Sequence, residues 1–227
     1  MILIKKRVLE ANRWIVEKKL VELTWGNVSY CDRTDNLVYI KPSGVKLSLA
    51  SVHDISCIDF EGERTSGLKG SVDTPTHIEL YKAFPRVTCI IHTHSKYATI
   101  FAQAQKSIPC VGTTHADYFY GEIPCVKPPN ASATQAGYEK HTGIAIQQFY
   151  KEHNLSYSQM PACLVGGHGP FVWGNSIDKA LENAQVLEIV AEYAYKSLLL
   201  GAKDSLKRYL LDKHFLRKHG NDKYYGQ

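Results

Sequence analysis

The sequence lacks the features that mark several large classes of protein. Its longest apolar runs are far too short to span a bilayer, and its charged N-terminal segment does not resemble a hydrophobic signal segment. It contains neither a P-loop nor a Gly-x-Gly-x-x-Gly fingerprint, so no site for ATP or a dinucleotide is visible. We therefore expect a cytoplasmic protein that does not bind a membrane.

Cysteine usage excludes a disulfide framework. None of the six cysteines belongs to a Cys-x-x-Cys pair, and most lie in apolar surroundings, which is typical of buried free thiols in a reducing compartment. A cysteine-type zinc site is excluded for the same reason. The six residues are Cys31, Cys57, Cys89, Cys110, Cys125 and Cys163.

Charge and composition describe an ordinary folded domain. Hydrophobic residues make up 44% and charged residues 22% of 227 residues, enough to bury a sizeable core, so we expect residues 1–227 to form a single domain. The formal net charge is +5, but apart from a mild excess near both ends the cations are scattered rather than clustered. This argues against nucleic-acid binding and is compatible with an anionic metabolite.

The hydrophobic pattern mixes strands and helices without strict alternation. It predicts an α/β sandwich with a largely antiparallel central sheet flanked by helices. Short β-branched or apolar runs predict the strands, and amphipathic runs with capping residues predict the helices. The predicted strands are 37–40, 55–58, 87–91, 163–165 and 171–173, and the predicted helices are 4–20, 96–105, 142–150, 177–199 and 205–219.

A His-Thr-His segment is the sharpest local feature. His92 and His94 are two residues apart at the end of a predicted strand, so their side chains share one face and can reach one ion. Neutral imidazole binds Zn²⁺ and other first-row metals. On its own, the pair is also compatible with two solvated or hydrogen-bonded histidines.

Two further residues strengthen the metal hypothesis. His168 lies in the tight turn Gly166-Gly167-His168-Gly169-Pro170, directly after an apolar strand. Three histidines at strand ends form the usual protein part of an open catalytic metal site. Asp73, just before the helix start Thr74-Pro75, is a plausible fourth ligand, although alone it would indicate only a helix-terminus carboxylate.

Several glycine-containing turns can offer backbone N–H groups to an anion. They are Lys41-Pro42-Ser43-Gly44, Gly26-Asn27 and Lys69-Gly70-Ser71. Each is also compatible with an ordinary turn. Two further regions, 113–121 and the tyrosine-containing end 224–227, are rich in side chains that can transfer protons or dock against a surface.

Taken in order, these segments resemble the L-ribulose-5-phosphate 4-epimerases of the class II aldolase/epimerase superfamily. The resemblance extends over essentially the whole chain and involves six separate motifs. They are Thr24-Trp25-Gly26-Asn27-Val28-Ser29, Lys41-Pro42-Ser43-Gly44, Asp73-Thr74-Pro75-Thr76-His77, His92-Thr93-His94, His168-Gly169-Pro170 and Tyr225-Gly226-Gln227.

The resemblance implies a class II aldolase-like fold, a cyclic homotetramer and one divalent ion per subunit, most simply Zn²⁺. The implied metal ligands are Asp73, His92, His94 and His168. The implied substrate-binding residues are Gly26, Asn27, Lys41, Ser43, Gly44, Ser71, Val72, Asp73, His214 and Arg217. The implied acid/base pair is Asp117 and Tyr225, which would reach the metal of a neighbouring subunit.

One position departs from the family pattern. The family often has two serines before the aspartate, whereas this chain has Ser71-Val72. One hydroxyl contact to phosphate is therefore missing, and we expect weaker substrate affinity rather than lost chemistry.

The implied reaction interconverts L-ribulose 5-phosphate and D-xylulose 5-phosphate. Because C4 is not beside the carbonyl, retro-aldol cleavage of C3–C4 and rejoining on the opposite face avoids an unstabilised carbanion. Arabinose and ascorbate breakdown both use this step. Two alternatives remain at this stage, a sugar-phosphate aldolase of the same superfamily and a catalytically silent scaffold. Asp73 with Asp117 argues against the first, and the intact histidine set argues against the second.

Overall fold

The computed structural model describes residues 1–221, 223 and 224. These residues form a sheet of eight strands in the order β4-β3-β2-β1-β5-β8-β7-β6, in which every neighbouring pair is antiparallel except β6 and β7. The strands are β1 (Gly26–Asp32), β2 (Leu37–Ile40), β3 (Ser56–Asp59), β4 (Arg64–Ser66), β5 (Cys89–Thr93), β6 (Cys125–Val126), β7 (Ala162–Val165) and β8 (Pro170–Gly174).

Seven α-helices and one short 3-10 turn, Val52–Asp54, accompany the sheet in the described part of the chain. Helices α1, α3 and α6 contact one another or the central strands, and α2 packs along α5. The helices are α1 (Ile2–Glu17), α2 (Thr74–Ala83), α3 (Lys96–Gln103), α4 (Thr113–Ala116), α5 (Ala131–Glu152), α6 (Ile177–Leu199) and α7 (Arg208–His219). The predicted α/β architecture with a mostly antiparallel sheet is confirmed.

Central strand β5 organises the core. All five of its residues are buried. The strand lies between β1 and β8, and its side chains point alternately into the cores on the two faces of the sheet. The register pairs Asn27 of β1 with His92, and His92 with Phe171 of β8. The C-terminal end of β5 therefore lies beside the N-terminal ends of β1 and β8.

The cysteines agree with the expectation of free thiols. All six are free, and all but the half-buried Cys125 are buried. Burial raises the pKa of Cys31 and of Cys110 to about 11, so both thiols stay protonated at neutral pH. Within the described residues, no helix combines the length and apolar character that crossing a membrane requires.

Helices α2 and α5 approach so closely that their contact requires a glycine. A β-carbon at Gly143 would lie 2.7 Å from the β-carbon of Glu79 and 2.9 Å from the carbonyl oxygen of Thr76. Because α2 begins beside Asp73, this contact also positions one of the candidate site residues.

We predict that Gly143→Ala destabilises the protein by about 1–3 kcal/mol, because the added methyl group forces the two helices apart. Chemical denaturation measures the change. Gln135→Ala, at an exposed position of the same helix, should change stability by less than about 0.5 kcal/mol. Equal stability of the two variants would show that the helices separate without cost.

Candidate metal centre and active site

Three histidines converge at the point where β5 ends and β8 begins. His92 lies in β5 and His94 directly follows it, and their Nε2 atoms are 3.1 Å apart. His168 comes from the turn between β7 and β8. One ligand atom from each of the three residues lies within 4.8 Å of the others. The turn fits closely against β5, because a β-carbon at Gly169 would meet the carbonyl oxygen of Thr93 at 2.7 Å.

Neighbouring groups fix the orientation of two of these rings. Nδ1 of His92 is 2.9 Å from the carbonyl oxygen of Pro170, to which it donates, and the ring stacks on Phe171 with centroids 4.3 Å apart. Nδ1 of His168 lies 3.1 Å from the hydroxyl of Tyr138. With Nδ1 occupied, each ring has Nε2 available for another partner.

The three imidazoles are suited to bind a cation because they are neutral. Burial lowers the pKa of His92 to about 3, with the nearby histidines adding to the effect and Asp73 opposing it. Burial also lowers the pKa of His94 and of His168. At neutral pH each ring therefore carries a nitrogen lone pair rather than a second proton.

Asp73 faces this cluster from the start of α2. Its Oδ2 accepts hydrogen bonds from Nδ2 of Asn27 at 2.7 Å and from Oγ of Ser71 at 3.3 Å. Burial opposes its ionisation, but the charge interactions with His92 and His77 and the Asn27 hydrogen bond outweigh it and keep its pKa below the ordinary value. The carboxylate is not among the groups within 4.8 Å of one another, yet it interacts electrostatically with all three candidate ligands.

This donor set fits a divalent transition-metal ion. Three neutral imidazoles and one ionised carboxylate are the combination that Zn²⁺ and related ions accept, and a site of this kind leaves coordination positions for water or substrate. In the described chain the three histidines are the one group of three or more histidine, cysteine or acidic side chains close enough to hold an ion.

Lys41 lies beside this cluster and is almost fully buried, with 3% exposure. Its ammonium donates to the carbonyl oxygen of Thr24 at 3.3 Å. Burial lowers the pKa of Lys41, and the charge of Asp73 opposes that shift. A buried cation with few partners is well placed to bind an anion, because the attraction is weakly screened there.

Two backbone segments run side by side around Lys41. The N–H of Ser43 donates to the carbonyl of Lys69 at 2.9 Å, and the N–H of Ser71 donates to the carbonyl of Lys41 at 2.9 Å. Gly44 has a φ of +68°, which suits the tight turn that follows β2. The structure thus brings the predicted anion-binding turns together. Val72, beside them, is 59% exposed.

Gly26 and Asn27 link these turns to the histidines. Gly26 has a φ of +143°, and a β-carbon there would lie 2.8 Å from Val21 and 2.9 Å from the carbonyl oxygen of His92. Only glycine therefore allows β1 to start this close to β5. Asn27 also donates to Oγ of Ser71 at 3.0 Å, while its buried Oδ1 has no hydrogen-bond partner.

Asp117 forms a second polar cluster with helix α7. Arg217 donates to both carboxylate oxygens, from Nε at 3.1 Å and from a terminal nitrogen at 2.9 Å. Nδ1 of His214 lies 3.2 Å from the carboxylate, and Nε2 of His219 lies 2.8 Å from the backbone oxygen of Asp117. The sequence-predicted residues Asp117, His214 and Arg217 are therefore in direct contact.

The Asp117 cluster lies toward the opposite end of the central strands from the three histidines. His219, which contacts Asp117, lines a cavity with Gly174, the last residue of β8. Gly174 pairs with Cys89 at the start of β5, three residues and about 10 Å along the strand from His92. Tyr225, the other predicted acid/base residue, lies outside the described residues.

Two side chains that have no role in the sequence-based hypothesis lie beside the histidines. Tyr138 contacts His168, and the ring of Trp25 lies 6.4 Å from that of His94 between centroids. Tyr138 reaches the site because Gly137, with a φ of +136°, kinks α5 directly before it. A glycine followed by tyrosine inside an otherwise helical pattern was the available signal for Tyr138.

Comparisons with known proteins agree with this geometry. Residues 6–195 match the family described as "Class II Aldolase and Adducin N-terminal domain". The chain is 42% identical over 226 residues to L-ribulose-5-phosphate 4-epimerase UlaF of Salmonella paratyphi C (strain RKS4594), covering 99% of this chain and 98% of that protein.

Solved structures share the fold. An L-fuculose 1-phosphate aldolase matches with a TM-score of 0.81 and 21% identity, covering 93% of both chains. The L-fuculose-1-phosphate aldolase of Thermus thermophilus matches with a TM-score of 0.68 and 22% identity, covering 89% of this chain and 98% of that one. The family match and the 42% identical relative show that the chain belongs to the class II aldolase and adducin N-terminal domain family.

Proposed function

We propose that this chain is a single-domain, cytoplasmic, metal-dependent isomerase that interconverts L-ribulose 5-phosphate and D-xylulose 5-phosphate. The observation that carries the proposal is 42% identity, over 99% of the chain, to a protein named as an L-ribulose-5-phosphate 4-epimerase. The convergence of the three histidines and Asp73 supports it. The physiological role would be in pentose breakdown, from arabinose or ascorbate.

We propose His92, His94, His168 and Asp73 as the residues that hold one divalent ion, with Zn²⁺ as the first candidate. Such an ion supplies Lewis-acid stabilisation of the negative charge that develops on substrate oxygens when the C3–C4 bond breaks. Tyr138 would keep His168 in the orientation that presents Nε2, and the carbonyl of Pro170 would do the same for His92.

The phosphate would bind beside the ion, at Lys41 and the neighbouring turns. The buried ammonium of Lys41 would supply charge, Gly44 would supply a backbone N–H group, and Ser43 and Ser71 would supply hydroxyls. Gly26 would contact the substrate only through its backbone, because its missing β-carbon would point at Val21 and β5. Asn27 connects Ser71 to Asp73. A firm hold on the phosphate would keep the cleaved aldehyde in place while it rotates.

Asp117 and Tyr225 would transfer protons on the two faces of that aldehyde. Arg217 and His214 would hold the Asp117 carboxylate in position. Because Asp117 lies toward the other end of β5 from the histidines of its own chain, a second subunit is the natural source of these groups. This separation supports active sites shared between neighbouring subunits, and the resemblance to the family suggests that the assembly is a homotetramer.

The two alternatives have less support. A sugar-phosphate aldolase is compatible with the shared fold, but the aldolases of known structure are only 21% and 22% identical to this chain, which shows the fold alone. A silent scaffold would have no reason to maintain three neutral histidines around one point, two of them oriented by hydrogen bonds.

The first test of the function is turnover. Purified protein should contain about one divalent ion per chain and should convert L-ribulose 5-phosphate to D-xylulose 5-phosphate. A chelator, or the His94→Ala substitution, should remove the ion and abolish turnover. Tyr138→Phe keeps every ligand but loses one orienting hydrogen bond, so the metal affinity should fall by about tenfold in a chelator competition.

Tyr193→Phe, which removes an exposed hydroxyl on α6, is the matched control and should leave metal affinity unchanged. Full activity of metal-free protein would contradict the metal requirement. Release of glycolaldehyde phosphate without D-xylulose 5-phosphate would favour the aldolase.

The Ser71-Val72 pair gives a second prediction. Val72→Ser adds a hydroxyl beside the phosphate turns, and one further hydrogen bond should lower KM about threefold to tenfold with little change in kcat. Val72 is largely exposed, so the fold should tolerate the change. Steady-state kinetics of Val72→Ser and of Val72→Ala, which adds no hydroxyl, separate the new contact from the lost methyl groups. A KM that falls equally in both variants would argue against a phosphate contact.

A third prediction tests whether two subunits share a site. Tyr225→Phe and Asp117→Asn should each lower turnover by roughly 10²-fold or more while the metal content stays unchanged. Mixed tetramers of Tyr225→Phe and His94→Ala chains should regain activity, because some sites then combine an intact metal half with an intact tyrosine.

The matched control is a mixture of Tyr225→Phe and Asp117→Asn chains. If both residues reach a site from the same neighbour, every site in these mixed tetramers retains one defect and no activity returns. Native mass spectrometry verifies that subunits exchange. Confirmed mixed tetramers of the first kind without activity would favour a tyrosine that acts within its own chain.

A further inference from the structure

Trp25 is a large aromatic side chain beside the three histidines, and the proposed reaction gives it no role. Its ring centroid lies 6.4 Å from that of His94, and the two ring planes are tilted by 47°. The residue is 53% exposed, whereas Trp173 in the core is 1% exposed. Single exposed apolar side chains are common on protein surfaces, so the position of this ring has to carry the argument.

The chain places Trp25 between the candidate phosphate cation and the candidate metal ligands. Thr24, directly before it, accepts a hydrogen bond from the buried ammonium of Lys41 at 3.3 Å. Gly26, directly after it, pairs in the sheet with Thr93 of the His-Thr-His segment. Because Thr24 and Gly26 are only two positions apart, their Cα atoms are separated by about 7 Å or less. Trp25 therefore lies on the short path from the ammonium to the imidazoles.

Backbone contacts hold this turn in place. The N–H of Trp25 donates to the carbonyl oxygen of Glu22 at 3.0 Å, and the N–H of Gly26 donates to that of Thr24 at 3.1 Å. The turn also fits tightly against β5, since a β-carbon at Gly26 would lie 2.9 Å from the carbonyl oxygen of His92. A ligand that meets the indole therefore has little backbone ordering to offset, which favours a stable contact.

A pentulose phosphate has to span the same interval. With its phosphate on Lys41 and the oxygens of C2 and C3 toward the histidines, its C4 and C5 atoms would lie between them. The C–H bonds of these carbons suit the face of an indole ring, which carries partial negative charge. C4 and C5 are also the two carbons of the aldehyde that forms when the C3–C4 bond breaks.

We propose that Trp25 is a substrate-contacting residue whose indole packs against C4 and C5 of the pentulose phosphate. The inference rests on the proposed function, because the substrate decides which atoms meet the ring. It adds an apolar wall to a site whose other proposed contacts are polar, the combination that is usual in small-molecule sites. The ring is exposed without substrate and becomes covered when substrate binds.

Steady-state kinetics of Trp25 variants test the contact. Trp25→Ala removes the ring, so KM for L-ribulose 5-phosphate should rise about fivefold to tenfold with little change in kcat. Trp25→Phe keeps a smaller ring and should recover most of the loss. Leu23→Ala is the matched control, because it removes a 78% exposed apolar side chain from the same turn and should leave KM unchanged.

Tryptophan emission gives a direct readout of binding. The titrations use Asp117→Asn protein, in which turnover is slow and the histidines are intact. L-Ribulose 5-phosphate should shift the emission to the blue, because the indole of Trp25 leaves water. The same titration of protein that also carries Trp25→Phe should lack this shift, although Trp14 and Trp173 remain. Inorganic phosphate has no carbon chain and should shift neither.

Calorimetry and native mass spectrometry complete the test. Binding of L-ribulose 5-phosphate in the calorimeter without a Trp25-dependent shift, or an unchanged KM in Trp25→Ala, would overturn the inference. A fall in metal affinity that accompanies the rise in KM would overturn it in favour of a ring that only supports His94. Dissociation of the assembly by Trp25→Ala would overturn it in favour of a subunit interface. Absence of any binding would contradict the proposed function itself, and this inference with it.

Discussion

Antiparallel pairing of β5 with β1 on one side and β8 on the other determines where the polar groups of this protein meet. The register places Asn27 opposite His92 and His92 opposite Phe171. A shift by one residue would turn the side chain of His92 to the other face of the sheet. The apolar runs of β5 and β8 oppose such a shift, because they are buried along their whole length and slippage would disturb the core.

The buried charges beside these strands need neighbouring groups that replace their lost hydration. Asp73 and Lys41 are both largely withdrawn from water, and the negative charge of Asp73 favours the charged form of Lys41 by opposing the fall in its pKa. Asn27 and Ser71 supply hydrogen bonds that water would otherwise supply to the carboxylate. Because isolated buried charges are costly, this arrangement is stable only as a group, and it leaves the ammonium of Lys41 open to an additional anion.

Much of the fold could be read from the sequence, but not all of it. The predicted bounds of β2 and α6 match the structure, because a β-branched run and a long capped amphipathic run are strong local signals. Strand β1 was missed, since the side chains of its polar residues Asn27 and Ser29 form their hydrogen bonds with partners far along the chain. The helix predicted at 142–150 extends over Ala131–Glu152, because tertiary packing on α2 maintains it across the kink at Gly137.

In the site, too, short-range sequence patterns predict some contacts and miss those between residues far apart in the chain. The spacing of His92 and His94 is sufficient to predict that they share a face, and the structure shows that they do. In contrast, Asp117 and Arg217 are 100 positions apart, and no local pattern indicates their contact. The resemblance to a family implied that both residues belong to one site. Only the structure shows that Arg217 donates to the Asp117 carboxylate.

The ion pair between Asp117 and Arg217 of α7 also affects the order in which parts of the protein assemble during synthesis. Chains emerge from the ribosome N-terminus first, and the sheet is complete in sequence at Gly174, well before Arg217 has been made. During that interval the Asp117 carboxylate lacks its guanidinium partner and stays hydrated. A nascent chain can therefore form its sheet while the second polar cluster is still unassembled, and synthesis of α7 is the step that supplies the missing partner.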